Sequence, residues 1–244
     1  MTNAEPELWE AHADWWQREF TDGVDPEYEE QILPLASSLM HGFDNVLDLG
    51  TGEGQIARLL EQRGASVIGV DPTFAQVKVA AERAGGPSYT LGGAHELPFA
   101  SNSFDAVLAC LVFEHIDPLE SAIEEVARVL QSGGRFALFL NHPLLQTPGS
   151  GWIDDHVMDP PDQYWRIGSY LVEQATVEEV QKDVFIPFVH RPLHRYINTL
   201  SHHGLKIAEF HEPGPPEGFL DKSPFFAAAF AIPRLLVLVC ELSP

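Results

Sequence analysis

A chain of 244 residues can bury one large core, either as a single domain or as a domain carrying an inserted cap. Its 14 Lys+Arg against 36 Asp+Glu give a formal net charge of -22, which lacks the basic footprint that phosphate neutralisation needs, so nucleic-acid partners are disfavoured. The sequence opens with no leader-like stretch and holds no apolar run near the ~20 residues that span a bilayer, so a cytoplasmic protein without a membrane partner is expected.

The first forty residues predict two helices. In the first, Leu8, Ala11, His12, Trp15 and Phe20 fall close to one face, and Trp9 and Trp16 widen it. This aromatic set suits a helix packed on the core. The second helix starts at Asp25-Pro26, with Asp as N-cap and Pro at the first helical position. It carries Tyr28, Ile32, Leu35, Ala36 and Leu39, and Pro34 is expected to kink it because the ring clashes with the preceding turn.

Val46-Leu47-Asp48-Leu49-Gly50-Thr51-Gly52-Glu53-Gly54 comes next, and helical spacing resumes at Ile56, Leu59 and Leu60. That is strand, tight turn, helix. Three glycines at alternate positions let the main chain turn sharply and admit a ligand where a Cβ would block it. The following helix offers unpaired N–H groups and a positive dipole end at the same place. A dinucleotide site wants G-x-G-x-x-G, whereas this pattern is G-x-G-x-G with Asp48 before it and Glu53 inside it. Two carboxylates would repel a diphosphate but suit a ligand carrying an ammonium and a sulfonium. The segment resembles the first motif of the class I S-adenosylmethionine-dependent methyltransferases. The resemblance implies that Asp48, Gly50, Thr51, Gly52 and Gly54 bind S-adenosyl-L-methionine. It also offers a second reading of residues 1–40, since this family often closes its site with an N-terminal aromatic helix acting as a lid.

Ser66-Val67-Ile68-Gly69-Val70 is a short buried strand ending at Asp71-Pro72. A carboxylate at the end of the second strand can accept both ribose hydroxyls of an adenosyl group. Asp71 can also cap the helix that Pro72-Thr73-Phe74 opens, and the two roles are compatible. The third strand is the weaker Ser88-Tyr89-Thr90-Leu91. Gly92 to Phe99, followed by Phe104-Asp105, resembles the family's G-D-A-x-x-L-P-F…F-D segment. One departure matters: Gly93 stands where the family usually has an acid that binds the adenine amino group. Adenine is then expected against Ala94 and against His95 or Glu96.

Phe104 to Leu111 predicts the fourth strand, an unbroken apolar run as in a sheet covered on both faces. Its C-terminal end, from Cys110 to His115, is expected to face the methyl group, because ligands of open α/β sheets bind outside the strands' carboxyl ends. Glu114-His115 resembles the E-H or H-H pair of ubiquinone-type methyltransferases, the type 11 group. The Asn/Asp-Pro-Pro-aromatic motif of amino-group methyltransferases is absent from this position; Asp159-Pro160-Pro161 falls after the fifth strand and reads as a loop. A helix over Leu119 to Leu130, stopped by Gly133-Gly134, leads to a fifth strand from Arg135 to Leu140. The run from Arg128 to Phe136 is similar to the family's R-V-L-k-P-G-G-x-f. Together the similarity covers about residues 45 to 140.

Residues 141–191, rich in Pro, His and aromatics, are too long for an ordinary connection and predict a cap over the acceptor pocket. Tyr170-Leu171-Val172 and Val184-Phe185-Ile186 read as extended pieces, with Thr176 and Glu179 as a capping box for a short helix between them. His156, Asp154 and Asp159 invite a metal, but the spacing of a metal-binding helix is missing, so none is expected. Cys110 and Cys240 lie in apolar runs and read as buried thiols. A helix carrying Tyr196, Ile197 and Leu200 follows His190-Arg191-Pro192, and Gly204 stops it. Gly204 to Phe210 and Ile232 to Val239 supply two more strands. In the family these form an antiparallel hairpin whose last strand inserts beside the fifth.

The expected protein is a single α/β domain over residues 1–244 with a Rossmann-like seven-stranded sheet, mostly parallel with an antiparallel last strand. N-terminal helices (1–40) precede a cofactor core (41–140), the cap (141–191), and a C-terminal helix and hairpin (192–244). The expected activity is methyl transfer to a small molecule, most readily at a hydroxyl oxygen. A hydroxyl must lose its proton, and a histidine is the natural base near neutral pH. His115, His142 and His190 are the candidates, in that order of placement. The alternatives are a non-catalytic S-adenosylmethionine-binding protein, or a related enzyme that transfers another part of the cofactor.

Overall fold

The computed structural model describes residues 4–83, 85–157, 159–160, 162–222 and 230–244. Helix α1 (Ala4–Phe20) bends at His12, whose φ of -117° and ψ of 15° leave the helical region. The next helix opens at Pro26, and the Asp25 carboxylate accepts the N–H groups of Glu27 and Tyr28 at 2.8 and 3.1 Å. Pro34 does not break it. The turn before it, Tyr28–Ile32, widens to a π-helix and then continues as α2 (Leu33–Leu39), accommodating the proline's missing donor.

Alternation of strand and helix then builds the core: β1 (Asn45–Leu49), α3 (Gln55–Gln62), β2 (Ser66–Asp71), α4 (Phe74–Arg83), β3 (Ser88–Leu91) and β4 (Phe104–Cys110). A 3₁₀ turn (Phe113–His115), α5 (Leu119–Val129) and β5 (Leu130–Asn141) follow. After β5 come β6 (Gly151–Asp155), β7 (Asp162–Arg166), β8 (Gln174–Gln181) and β9 (Val184–His190). The chain ends with α6 (Leu193–His202), β10 (Leu205–His211), α7 (Glu217–Leu220) and β11 (Leu235–Leu242).

The main sheet has seven strands in the order β10-β11-β5-β4-β1-β2-β3. Strands β1 to β5 pair in parallel, whereas β11 is antiparallel to both β5 and β10. This is the expected sheet, with the last strand inserted beside β5. Both faces are covered, so successive residues of one strand enter different cores. Phe136, Leu138 and Leu140 pack with α5 and α6 residues such as Ile123 and Leu200. Ala137 and Phe139 pack on the opposite side with Ile32, Ile56 and Leu60. The strand order reverses at β1, between β4 and β2, and the crevice at a reversal is where such sheets bind ligands.

Three local expectations need correction. Helix α5 ends at Val129, before the glycine pair, because Leu130 turns extended (φ -71°, ψ 143°) to pair with Phe104; β5 therefore begins earlier, through an irregular register. Residues 176–179 are not helical. They belong to β8, where Val177 pairs with Pro187 and Glu178 with Ile186, so cross-strand pairing overrides a local capping signal. Tyr170 to Val172 form a turn rather than a strand. The insert is two hairpins, β6–β7 and β8–β9, and in the first Trp152 faces Trp165 edge-on at 5.5 Å. Asp159 and Pro160 lie in the connection between β6 and β7, and Pro161 is outside the described residues. No helix among the described residues is long and apolar enough to cross a membrane.

Candidate active site

The glycine turn after β1 opens a cavity at the carboxyl ends of β1, β2 and β4. Gly50, Gly52 and Gly54 all take positive φ, 73°, 55° and 85°, which costs an L-residue but not glycine. Their surroundings separate their roles. A Cβ on Gly50 would collide with the side chain of Val112, and one on Gly54 with the ring of Tyr89. A Cβ on Gly52 would meet only the Trp16 indole nitrogen, at 3.8 Å. The Cβ position of Gly52 thus opens onto free space beside Trp16, whereas Gly50 and Gly54 let protein pack on protein.

Three carboxylates surround the turn. Asp48, 2 % exposed, accepts the Thr51 hydroxyl at 2.6 Å, and burial pushes its carboxyl up to about 7 despite that bond. Asp71, 8 % exposed, accepts the Gly52 N–H at 3.0 Å on one oxygen and the Thr73 N–H at 2.8 Å on the other; burial raises it too. It is therefore both an anchor of the turn and the cap of the segment entering α4. Glu53 corrects an expectation. Its Oε2 is paired with Arg58 at 2.7 Å and Arg83 at 2.9 Å, so it is not a free charge for a cationic ligand. Among the described residues, no Lys or Arg lines the cavity, and Asp48 and Asp71 leave its field negative. That field disfavours a diphosphate and suits an ammonium and a sulfonium.

Beside Asp71 the cavity is lined by Pro72, Gly93, Ala94 and His95. A Cβ on Gly93 would stand 2.9 Å from the His95 ring, so the missing acid at position 93 makes room for this imidazole. On the other side, Trp9, Trp16 and Phe20 of α1 line the cavity with Tyr28, with Trp16 stacked on Phe20 at 4.4 Å. Periodicity could not separate this wall from ordinary core packing. Cys110 also lines the cavity; burial raises its thiol well above the ordinary value, leaving it protonated and unreactive. Cys240 is likewise a free, buried thiol.

The structure treats the three histidines differently. His115 lines the cavity; its Nδ1 meets the Pro187 carbonyl at 2.6 Å, and its ring lies 4.9 Å from Trp9 and 4.6 Å from Phe188. A carbonyl only accepts, so Nδ1 carries the hydrogen and Nε2 keeps a lone pair. Burial lowers His115 to about 4, which keeps the ring neutral. His142 and His190 do not line this cavity. His142 accepts the Leu144 N–H on Nδ1 at 3.2 Å and donates from Nε2 to Glu212 at 2.8 Å. His190 donates from Nε2 to the Tyr170 carbonyl at 2.8 Å. Glu114 binds the backbone and side-chain nitrogens of Asn141 at 3.1 and 2.9 Å, tying the end of β5 to the 3₁₀ turn, and burial pushes it up to about 7.

None of the insert's described residues lines the cavity. The insert reaches it indirectly, through β9 behind His115 and through α1. The Trp15 indole donates to Gln181 at 2.6 Å, and the Phe185 N–H to His12 at 3.3 Å. Among the described residues, no group of three His, Cys, Asp or Glu could hold a metal ion.

Comparison with known proteins identifies the family. The methyltransferase-domain family matches residues 47–138. An uncharacterized methyltransferase of Bacillus subtilis, YcgJ, is 32% identical over 201 residues, covering 75% of each chain. This chain belongs to the class I S-adenosylmethionine-dependent methyltransferases. An uncharacterized methyltransferase of Mycobacterium tuberculosis is 40% identical over 128 residues, 52% of this chain; the chain spans about half the length of that relative, 49%. A crystal structure of an S-adenosylmethionine-dependent methyltransferase from Mesorhizobium loti shares the fold with a TM-score of 0.76, at 24% identity, over 90% of this chain and all of its own. The methyltransferase cofactor fits the residues present: a glycine without a Cβ to block it, a carboxylate at the end of β2, and a cation-free lining.

Proposed function

We propose that this methyltransferase acts on a hydroxyl oxygen of a small, largely apolar acceptor. When bound, S-adenosylmethionine supplies a methyl group made electrophilic by its sulfonium. Asp71 would hold the ribose hydroxyls on the lone pairs that Gly52 and Thr73 leave free, and Asp48 would balance the ammonium. Pro72, Ala94 and His95 would flank the adenine. His115 would hold the acceptor's hydroxyl on Nε2, whose lone pair stays free above about pH 4, and take its proton as methylation makes that oxygen acidic, because a ring lowered this far is too weak a base to remove it beforehand. Trp9, Trp16 and Phe20 would exclude water and align the acceptor, which lets proximity and desolvation supply much of the rate. The insert would act as a cap by holding α1 and His115 over the site.

The observation that carries this reading is the joining of two surfaces in one cavity: a cation-free acidic edge at Asp48 and Asp71, and an aromatic wall with one neutral imidazole. Calorimetry with S-adenosylmethionine, followed by mass spectrometry of a panel of simple phenols and hydroquinones incubated with it, tests the proposal. Binding with formation of a methyl ether and S-adenosylhomocysteine supports it. Binding without consumption against any small-molecule pool points to a sensor, and loss of another part of the cofactor to a related transferase. The protein is expected to work in the cytoplasm without a nucleic-acid or membrane partner, in keeping with its charge of -22.

A further inference from the structure

We infer that Arg191 is a positioning residue for the acceptor side of the cavity: its guanidinium holds in place the segment that carries His115. The inference rests on the acceptor-side role proposed for His115. Arg191 follows β9 directly and is 3 % exposed. Its Nη1 donates to the carbonyl of Phe113 at 3.2 Å, and its Nη2 to those of Ile116 and Asp117 at 2.6 and 2.7 Å. No ion pair between Arg191 and a carboxylate is found among the described residues. Arg191 also meets the Tyr196 hydroxyl and shares a cavity with Asp117, Glu120, Glu124 and Glu173, so its charge is balanced at a distance while its donors go to the backbone, an expensive arrangement for mere packing. Its use here is geometric. The short 3₁₀ turn and the loop after it leave the carbonyls of Phe113 and Ile116 outside any helix or strand pairing, while that of Asp117 also takes the Leu119 N–H at 2.8 Å, and a planar fork of donors can reach all three at once.

The same stretch of chain grips His115 from the other side. Pro187 takes the hydrogen of Nδ1, which sets the tautomer, and Phe188 packs against the ring at 4.6 Å. Residues 187, 188 and 191 therefore fix the ring and the backbone that bears it. Ile116 and Pro118, on the same loop, line the cavity as well. Asp48 and Asp71 stand on β1 and β2, and no hydrogen bond among the described residues links either to residues 113–118; the segment meets the glycine turn only at Val112, which abuts Gly50 ahead of the carbonyls Arg191 holds. Releasing the guanidinium should thus disturb the acceptor wall and spare the cofactor residues.

The test uses the full chain with Arg191→Met, which keeps the stem and removes the donors, and Arg191→Lys, which keeps the charge and removes the fork. Three quantities are read: affinity for S-adenosylhomocysteine by calorimetry, the NMR signals of the His115 ring, and turnover of the phenol panel. Trp9 and Phe188 shift those ring signals by their ring currents, so the signals report position rather than stability. The expected result is affinity within twofold in both variants and His115 signals moved toward those of a free imidazole, further in Met than in Lys. Turnover should fall tenfold or more at an unchanged KM for S-adenosylmethionine. A folded variant with His115 signals unchanged would overturn the inference, as would a loss of S-adenosylhomocysteine affinity in step with turnover. If Arg191→Met does not fold, Arg191→Lys decides by the same outcomes. A wild-type protein that fails to bind S-adenosylhomocysteine would defeat the functional proposal instead, and the His115 signals would still be readable.

Discussion

The N–H of Gly52 donates to the Asp71 carboxylate at 3.0 Å, so the middle glycine of the turn and the acid at the end of β2 hold each other in place across two parallel strands. The turn is thereby held by bonds within the protein. The Asp71 oxygens take the N–H groups of Gly52 and Thr73, one each, with the Thr73 hydroxyl beside them, and a carboxylate oxygen can accept more than one bond.

Asp71→Ala should weaken S-adenosylmethionine binding by at least ~1.5 kcal/mol, the loss of two charge-assisted hydrogen bonds together with some loosening of the turn. That is more than tenfold in a calorimetric titration. Unchanged affinity would remove Asp71 from the ribose role.

The glycines should fail in different ways. Gly52→Ala keeps the fold at a cost of roughly 1–2 kcal/mol for its positive φ, and loses cofactor affinity tenfold or more because the methyl enters the cavity. Gly50→Ala loses stability first, through its collision with Val112, and adding Val112→Ala should recover part of that loss. Thermal melts and calorimetry on the three proteins separate the effects; a Gly52→Ala protein that binds normally would refute the ligand-facing assignment.

Cofactor binding should release a proton. Burial holds the Asp48 carboxyl at about 7, and a cation placed beside it favours the ionised form. The apo protein therefore binds more protons than the complex between about pH 5 and 7, and affinity should rise with pH across that window. Titrations in buffers of different ionisation enthalpy count the proton, and Asp48→Asn should abolish the release. Equal heats in all buffers at pH 6 would mean that Asp48 does not meet the cation.

Glu114 should make the protein less stable as pH rises. Its folded value of about 7 lies above the ordinary 4.5, so the folded state holds the proton more tightly; its stabilisation is complete below about 4.5 and is lost as pH climbs to 7. Glu114→Gln, which mimics the protonated acid, should match wild type near pH 4.5 and exceed it at pH 8 by up to about 3 kcal/mol. Urea melts at the two pH values check this. A variant less stable than wild type at pH 8 would show that the ionised carboxylate is the form the fold needs.

The resemblance supplied the family and the placement of the antiparallel last strand, whereas the sequence alone determined the β1–turn–α3 unit and the acid at the end of β2. Those features rest on residues close in the chain, where strand period, positive-φ glycines and motif spacing speak directly. Tertiary structure decided the rest. Glu53 looked like a free charge until Arg83, thirty residues on, was brought against it by folding of α4 over the turn. Trp9, Trp16 and Phe20 have one helical pattern whether they face a core or a cavity, and only their neighbours choose between the two. Thr176 and Glu179 carried a local helix signal that lost to pairing of β8 with β9. Three histidines were candidates on paper, His115 first by placement alone. Folding gave His142 and His190 partners away from the cavity and set His115 alone against it, because the surroundings of a side chain depend on contacts between segments distant in sequence, which no local pattern encodes.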